Sequence, residues 1–171
     1  MSQAIYDNAA FLTSYTNLPR SQHGLPAVTE WPALRNMTLG GSENIDSSHG
    51  IKFPQADLDI INILKETYDI VYSSLTLHYI WDLPRLINAI YTSLKPNSRI
   101  IFNIKHSIYT AQLEGKWLSS GSGSQSWNGY GTGGERVRSW LGTDVRNCHR
   151  TTQTYLSTSL GVGVTLADFV E

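Results

Sequence analysis

The strongest pattern in the chain runs from Tyr68 to Ile104. "YDIVYSS", Tyr68–Ser74, opens as a run of β-branched and aromatic residues of the length of a buried strand. From Leu83 the period changes. Leu83, Leu86, Ile87, Ile90, Tyr91 and Leu94 recur at helical spacing on one face. Asp82 stands where an N-cap belongs, and Pro84 is tolerated in a first turn, so a helix is predicted over Asp82–Leu94. Lys95-Pro96-Asn97 stops it, and "RIIFNI", Arg99–Ile104, is the next buried strand. Strand, helix and strand joined this closely make a βαβ unit. Its two strands should be parallel and its crossover right-handed.

The flanks carry weaker patterns. Residues 1–37 are polar and aromatic and are broken by Pro19, Pro26 and Pro32, with a short helix predicted over Asn8–Tyr15. "TLGGSENIDSSHG", Thr38–Gly50, reads as a loop, and "IKF", Ile51–Phe53, as a short strand. Beyond Thr110, Gly115–Gly134 is a Gly/Ser-rich loop carrying Trp117, Trp127 and Tyr130. "ERVRSWL" is expected to be a strand, Thr151–Leu160 a helix, and "VTLADFV", Val164–Val170, a closing strand. These elements predict one α/β domain over residues 1–171 with a mostly parallel sheet. Its parts are an N-terminal segment (1–37), a sheet core (51–110), a loop-rich insertion (111–150) and a closing helix and strand (151–171).

Composition narrows the partners. A chain of 171 residues with 40% hydrophobic and 11% aromatic content has the makings of one globular core. Thirteen Lys and Arg against 14 Asp and Glu leave no basic field for nucleic acid. No apolar run reaches the length of a membrane span, and "MSQAIYDNAA" lacks the build of a signal peptide. A cytoplasmic setting is expected, with a nuclear one equally compatible. Cys148 is the single cysteine, which excludes a disulfide scaffold and a thiolate zinc cluster.

Candidate chemistry is sparse. "NGYGTGGE" mimics a dinucleotide-binding glycine pattern, which requires a buried strand before it and a helix after it. Here a loop precedes and a strand-like segment follows, so a flexible loop is expected. The five histidines lack the close spacing of a metal site, and no nucleophile elbow, phosphate loop or His-Glu-x-x-His is present. Three polar groups remain, each just after a predicted strand: Asp57; Ser73, Ser74 and the His78-Tyr79 pair; and His106 with Tyr109. All would open on the carboxyl edge of one parallel sheet, where ligands bind. Read as ordinary loop residues, Asp57 would cap a helix start and His78 would sit in a turn.

"QADLD" and "YDIVYSSLTLHYIWDLPRLINAIYTSLKPNSRIIFNIKHSIYTA" together resemble the class I S-adenosylmethionine-dependent methyltransferases, in their type 11 branch. "YDNAAFLTSYTNLPRSQHGLPAVTEWPALRNM" is similar to the lid segment of one bacterial and fungal subgroup, and "HRTTQTYLSTSLGVGVTLADFVE" to its later helix and strand. The resemblance implies S-adenosylmethionine as cofactor and a small-molecule methyl acceptor. It implies that Asp57 bonds the adenine amino group, that Leu58 packs on the base, and that Ser73, Ser74 and Leu75 line the cofactor. Tyr15 and Arg20 would belong to a lid over the methionine end, Asp46 would echo the acidic residue on the ribose, and His78, Tyr79 and His106 would face the acceptor. In such chemistry the protein chiefly aligns donor and acceptor and excludes water.

The sequence departs from the family in small ways, with "LKPNS" for "LKPGG" and "KHS" for "EHP", and in one large one. The first strand and the glycine loop of the form Asp-Leu-Gly-Cys-Gly-x-Gly should lie between "LRNM" and "IKF", together with the helix, strand and helix that follow them. "TLGGSENIDSSHG" stands there instead. Truncation of this kind leaves "DIVYSS" at an open apolar edge, which favours self-association. Two readings follow: a methyltransferase with a shortened core, or a non-catalytic remnant that binds a partner or has lost coding sequence.

Overall fold

The computed structural model describes residues 7–27, 31–33, 37, 56–112 and 129–171. Two short helices come first, α1 (Ala9–Thr16) and α2 (Pro19–His23). The Asn8 side chain starts α1 by accepting a hydrogen bond from the Phe11 N–H at 3.1 Å, which satisfies one of the donors that every helix start leaves open. The segments 38–50 and 51–53, expected as loop and strand, lie outside the described residues.

At the centre stands the βαβ unit. β1 (Tyr68–Ser74) and β2 (Leu94–Asn103) pair in parallel, with Ile70 opposite Arg99 and Ser74 opposite Asn103. Between them runs α3 (Leu83–Ser93), whose N-cap Asp82 accepts from the Arg85 N–H at 3.1 Å. Its stripe of Leu83, Leu86, Ile87 and Ile90 is buried with Leu77, Ile80 and Tyr155, and Val71, Ile100 and Phe102 of the sheet pack against that cluster. Helical period therefore becomes a core. Two details of the sequence reading need correction. Tyr91 is 42% exposed rather than core, as suits a phenol whose hydroxyl prefers water. β2 also starts at Leu94 rather than Arg99, because Tyr68 pairs with Leu94 before the register shifts over Lys95–Ser98.

A short helix, α4 (Ser107–Ala111), follows β2. β3 (Gly134–Trp140) and β4 (Thr143–His149) then form an antiparallel hairpin. Leu141 and Gly142 turn it with φ of 52° and 76°, the twin positive angles of a two-residue turn that matches strand twist. β3 agrees with the expected strand, whereas β4 was not foreseen. Helix α5 (Thr152–Gly161), close to the predicted Thr151–Leu160, is capped by the Thr151 hydroxyl, which accepts from the Thr154 N–H.

Side chains join the hairpin to the βαβ unit. Buried Arg136 donates to the carbonyls of Ala111, Thr132 and Glu135, and Arg150 donates to those of Ile80 and Trp81, both at 2.7 Å. Thr110 and His149 bond at 2.8 Å. The expected closing strand is overturned: residues 164–171 are irregular and join neither sheet. Apolar alternation suggested a strand, but a strand exists only where a neighbour completes its ladder. No helix among the described residues is long and apolar enough to cross a membrane.

Candidate functional site at the carboxyl edge of the sheet

Because β1 and β2 are parallel, their carboxyl ends Ser74 and Asn103 lie side by side. The next residue, Leu75, has φ 50°, in the left-handed region that non-glycine residues rarely adopt. Asn103 holds it there: the Leu75 N–H donates to the Asn103 carbonyl at 2.9 Å and to its side-chain oxygen at 3.2 Å. Backbone strain of this kind concentrates at functional sites. Leu77–Tyr79 then forms one 3₁₀ turn that brings the His78 and Tyr79 rings within 4.2 Å of each other.

The N-terminal helices cover this edge. Arg20 on α2 donates from Nη2 to the Ser74 hydroxyl at 2.6 Å, across 54 positions of sequence. Among the described residues no carboxylate forms an ion pair with Arg20. Burial, and secondarily the neighbouring Tyr15 hydroxyl, push the Tyr79 phenol above its ordinary pKa. Tyr15 also meets Phe11 and Trp140 with ring centroids 6.0 Å apart in each pair.

His78 is 3% exposed and its Nδ1 has no hydrogen-bond partner among the described residues. Burial, helped by the positive charge of Lys105, lowers its pKa to about 4, so the ring is neutral at physiological pH. A neutral imidazole can accept a hydrogen bond but carries no charge to an anion. His106 caps α4, its Nδ1 accepting from the Ile108 N–H at 3.1 Å, while its Nε2 lies 3.3 Å from a Glu171 carboxylate oxygen.

The residues singled out from sequence therefore divide. Tyr15, Arg20, Ser74, Leu75, His78 and Tyr79 gather at one place, with Ser73 next to Ser74 in β1 and His106 just past the end of β2. Asp57 makes a turn, accepting from the Asp59 N–H at 3.0 Å, and Leu58 packs against the core cluster. Their segment reaches the edge through Asp59, whose carboxylate accepts from the Trp81 N–H at 3.2 Å. Asp46 lies outside the described residues. Trp140 and Asn103 were missed. Asn103 carried a usable signal, a polar residue ending an apolar strand, but Trp140 carried none.

A separate open cleft of about 690 Å³ lies between the hairpin and the start of α5, lined by Trp81, Tyr130, His149, Arg150 and Gln153 among others. None of the candidate site residues lines it. The glycine segment "NGYGTGGE" borders it and enters β3 at Gly134, with no helix following, so its context is not that of a dinucleotide loop. His149 is fully buried, bonded to Thr110 and to the Tyr130 carbonyl, and burial lowers its pKa.

This arrangement has the Rossmann-like fold of S-adenosylmethionine-dependent methyltransferases. Residues 33–102 match the model of a methyltransferase domain family. The chain is similar to the crystal structure of an S-adenosylmethionine-dependent methyltransferase from Mesorhizobium loti, at 26% identity and a TM-score of 0.66, over 82% of this chain and 83% of that one. A candidate S-adenosylmethionine-dependent methyltransferase from Listeria monocytogenes matches at 32% identity and a TM-score of 0.55, over 64% of this chain and 51% of the other. An uncharacterized protein of Haemophilus influenzae is 33% identical over 94 residues, 53% of this chain. The match spans 37% of that relative's length.

Proposed function

We propose that the chain binds S-adenosylmethionine at the carboxyl edge of β1 and β2 and transfers its methyl group to a small-molecule acceptor. The observation that carries this reading is the contact between Arg20 and Ser74. A guanidinium whose partner there is a neutral hydroxyl suits the carboxylate of the methionine end, since cation and carboxylate form strong charge-assisted bonds. In this reading Ser73, Ser74 and Leu75 line the cofactor, Tyr15 and Arg20 cover it, and Asp57 with Leu58 receives the adenine. Asp46 is the candidate for the ribose. His78, Tyr79 and His106 stand on the acceptor side. S-adenosylmethionine supplies the electrophilic methyl carbon, and the chain's part is alignment and exclusion of water.

The reading includes a core shortened by its first strand and glycine loop, so fewer backbone donors approach the middle of the cofactor. Each lost charge-assisted bond is worth roughly 1.5–3 kcal/mol. Two or three such losses weaken binding about a thousandfold or more, towards the millimolar range. Calorimetric titration with S-adenosylhomocysteine tests the reading. Measurable binding that falls at least about tenfold in Arg20→Ala supports it, by the same arithmetic. Binding absent at millimolar ligand, or indifferent to Arg20→Ala, overturns it.

A second reading, a non-catalytic remnant that acts by binding, rests on the exposed apolar residues Tyr68, Ile70 and Tyr72 of β1. Release of S-adenosylhomocysteine from S-adenosylmethionine in the presence of a panel of small acceptors separates the two. Turnover favours the enzyme, and binding without turnover favours the remnant.

A further inference from the structure

We propose that Trp140, at the tip of the β3–β4 hairpin, is the positioning residue that latches the N-terminal helices over the carboxyl edge of the sheet. The inference rests on the cofactor reading above and adds a residue from a distant part of the chain. Three observations converge on it. Trp140 meets Phe11 edge-on, with ring centroids 5.4 Å apart and planes at 73°, and meets Tyr15 edge-on at 6.0 Å and 87°. Phe11 is fully buried although its helix is otherwise mostly exposed, so the hairpin tip supplies part of the surface that shields it. The tip is also well fixed. Trp140 pairs with Thr143 across the two-residue Leu141-Gly142 turn, and both turn residues have positive φ.

The contacts sit on the same helix-turn-helix that carries Arg20. One end of that cover is held by the hairpin through aromatic packing, and the other reaches Ser74 through a hydrogen bond from Arg20. Edge-to-face pairs contribute beyond the area they bury because ring edges and faces carry opposite partial charge. Loss of the indole would free α1, and with it the approach of Tyr15 and Arg20 to the methionine end of a ligand. The adenine end, reached through Asp57 and Leu58, would be untouched. A residue that merely stabilises the fold would weaken both ends together.

The test is a comparison of two ligands on the full chain. Titration with S-adenosylhomocysteine and with adenosine, which lacks the amino-acid end, is made on the wild type, Trp140→Ala and Trp140→Phe. The expected result is about tenfold weaker S-adenosylhomocysteine binding in Trp140→Ala, from the loss of two aromatic pairs. Adenosine binding should be unchanged, and Trp140→Phe should recover most of the loss. Equal weakening of both ligands, or no change in either, overturns the latch while leaving the cofactor reading intact. A wild type that binds neither ligand overturns both. Should Trp140→Ala fail to fold, amide exchange on the wild type decides. The latch requires protection to rise together in residues 9–16 and 138–145 when S-adenosylhomocysteine is added, and a rise in one segment without the other refutes it.

Discussion

At the scale of single residues, the most informative group is the buried imidazole of His78. Its folded pKa of about 4 lies below the ordinary 6.5. Above pH 6.5 the ring is neutral in both folded and unfolded chains and contributes no pH dependence. As pH falls from 6.5 towards 4 the unfolded chain takes up a proton that the folded chain refuses, so stability declines across that window and levels off below it. A shift of this size corresponds to about 3 kcal/mol. Thermal unfolding between pH 7 and 4 should therefore show a steeper acid loss in the wild type than in His78→Asn. Parallel pH profiles for the two proteins would contradict the assignment. His149, also buried and depressed in pKa, contributes in the same direction, and its share persists in the variant.

Among elements, α3 shows how much a helix owes to its ends and how much to its face. Asp82 offers its start one hydrogen bond, and Leu83, Leu86, Ile87 and Ile90 give its face a core. Loss of an N-cap costs about 1 kcal/mol, whereas emptying a buried isoleucine to alanine costs about 2–5 kcal/mol. Denaturant unfolding should accordingly rank Ile87→Ala well below Asp82→Ala, with both below the wild type. The reverse order would mean that the stripe is not the core. Both features were legible in the sequence, since a cap and a period are local signals. β4 was not legible. "TDVRNCH" buries Val145 and then the three consecutive residues Asn147, Cys148 and His149, without the apolar alternation that announces a strand. His149 is admitted to the interior by its hydrogen bonds to Thr110 and Tyr130, and such partners are invisible until the chain has folded.

For the whole molecule, the outstanding feature is how few strands of the parallel sheet stand among the described residues. β1 pairs with β2 and with no other strand among the described residues. Tyr68, Ile70 and Tyr72, which alternate onto one face of β1, remain 38%, 44% and 37% exposed. Unpaired apolar strands template association with other chains. Sedimentation of the wild type should show an average mass that rises with concentration, and Ile70→Lys should return it towards the monomer. A wild type that stays monomeric at every concentration would rule this edge out as a contact.

The sequence by itself determined the βαβ unit, its parallel pairing and the edge at which polar residues gather. Strand and helix periods are written in neighbouring residues, and a crossover this short permits little else. It also located the resemblance to methyltransferases, carried by residues of that same unit. Tertiary structure alone decided which distant groups meet there. Arg20 reaches Ser74, Trp140 closes on Phe11 and Tyr15, and His78 is sealed from water rather than left in an open turn. It also left "VTLADFV" irregular, outside both sheets of the described residues. These outcomes depend on contacts between residues far apart in the chain, and no local period encodes which of them will form.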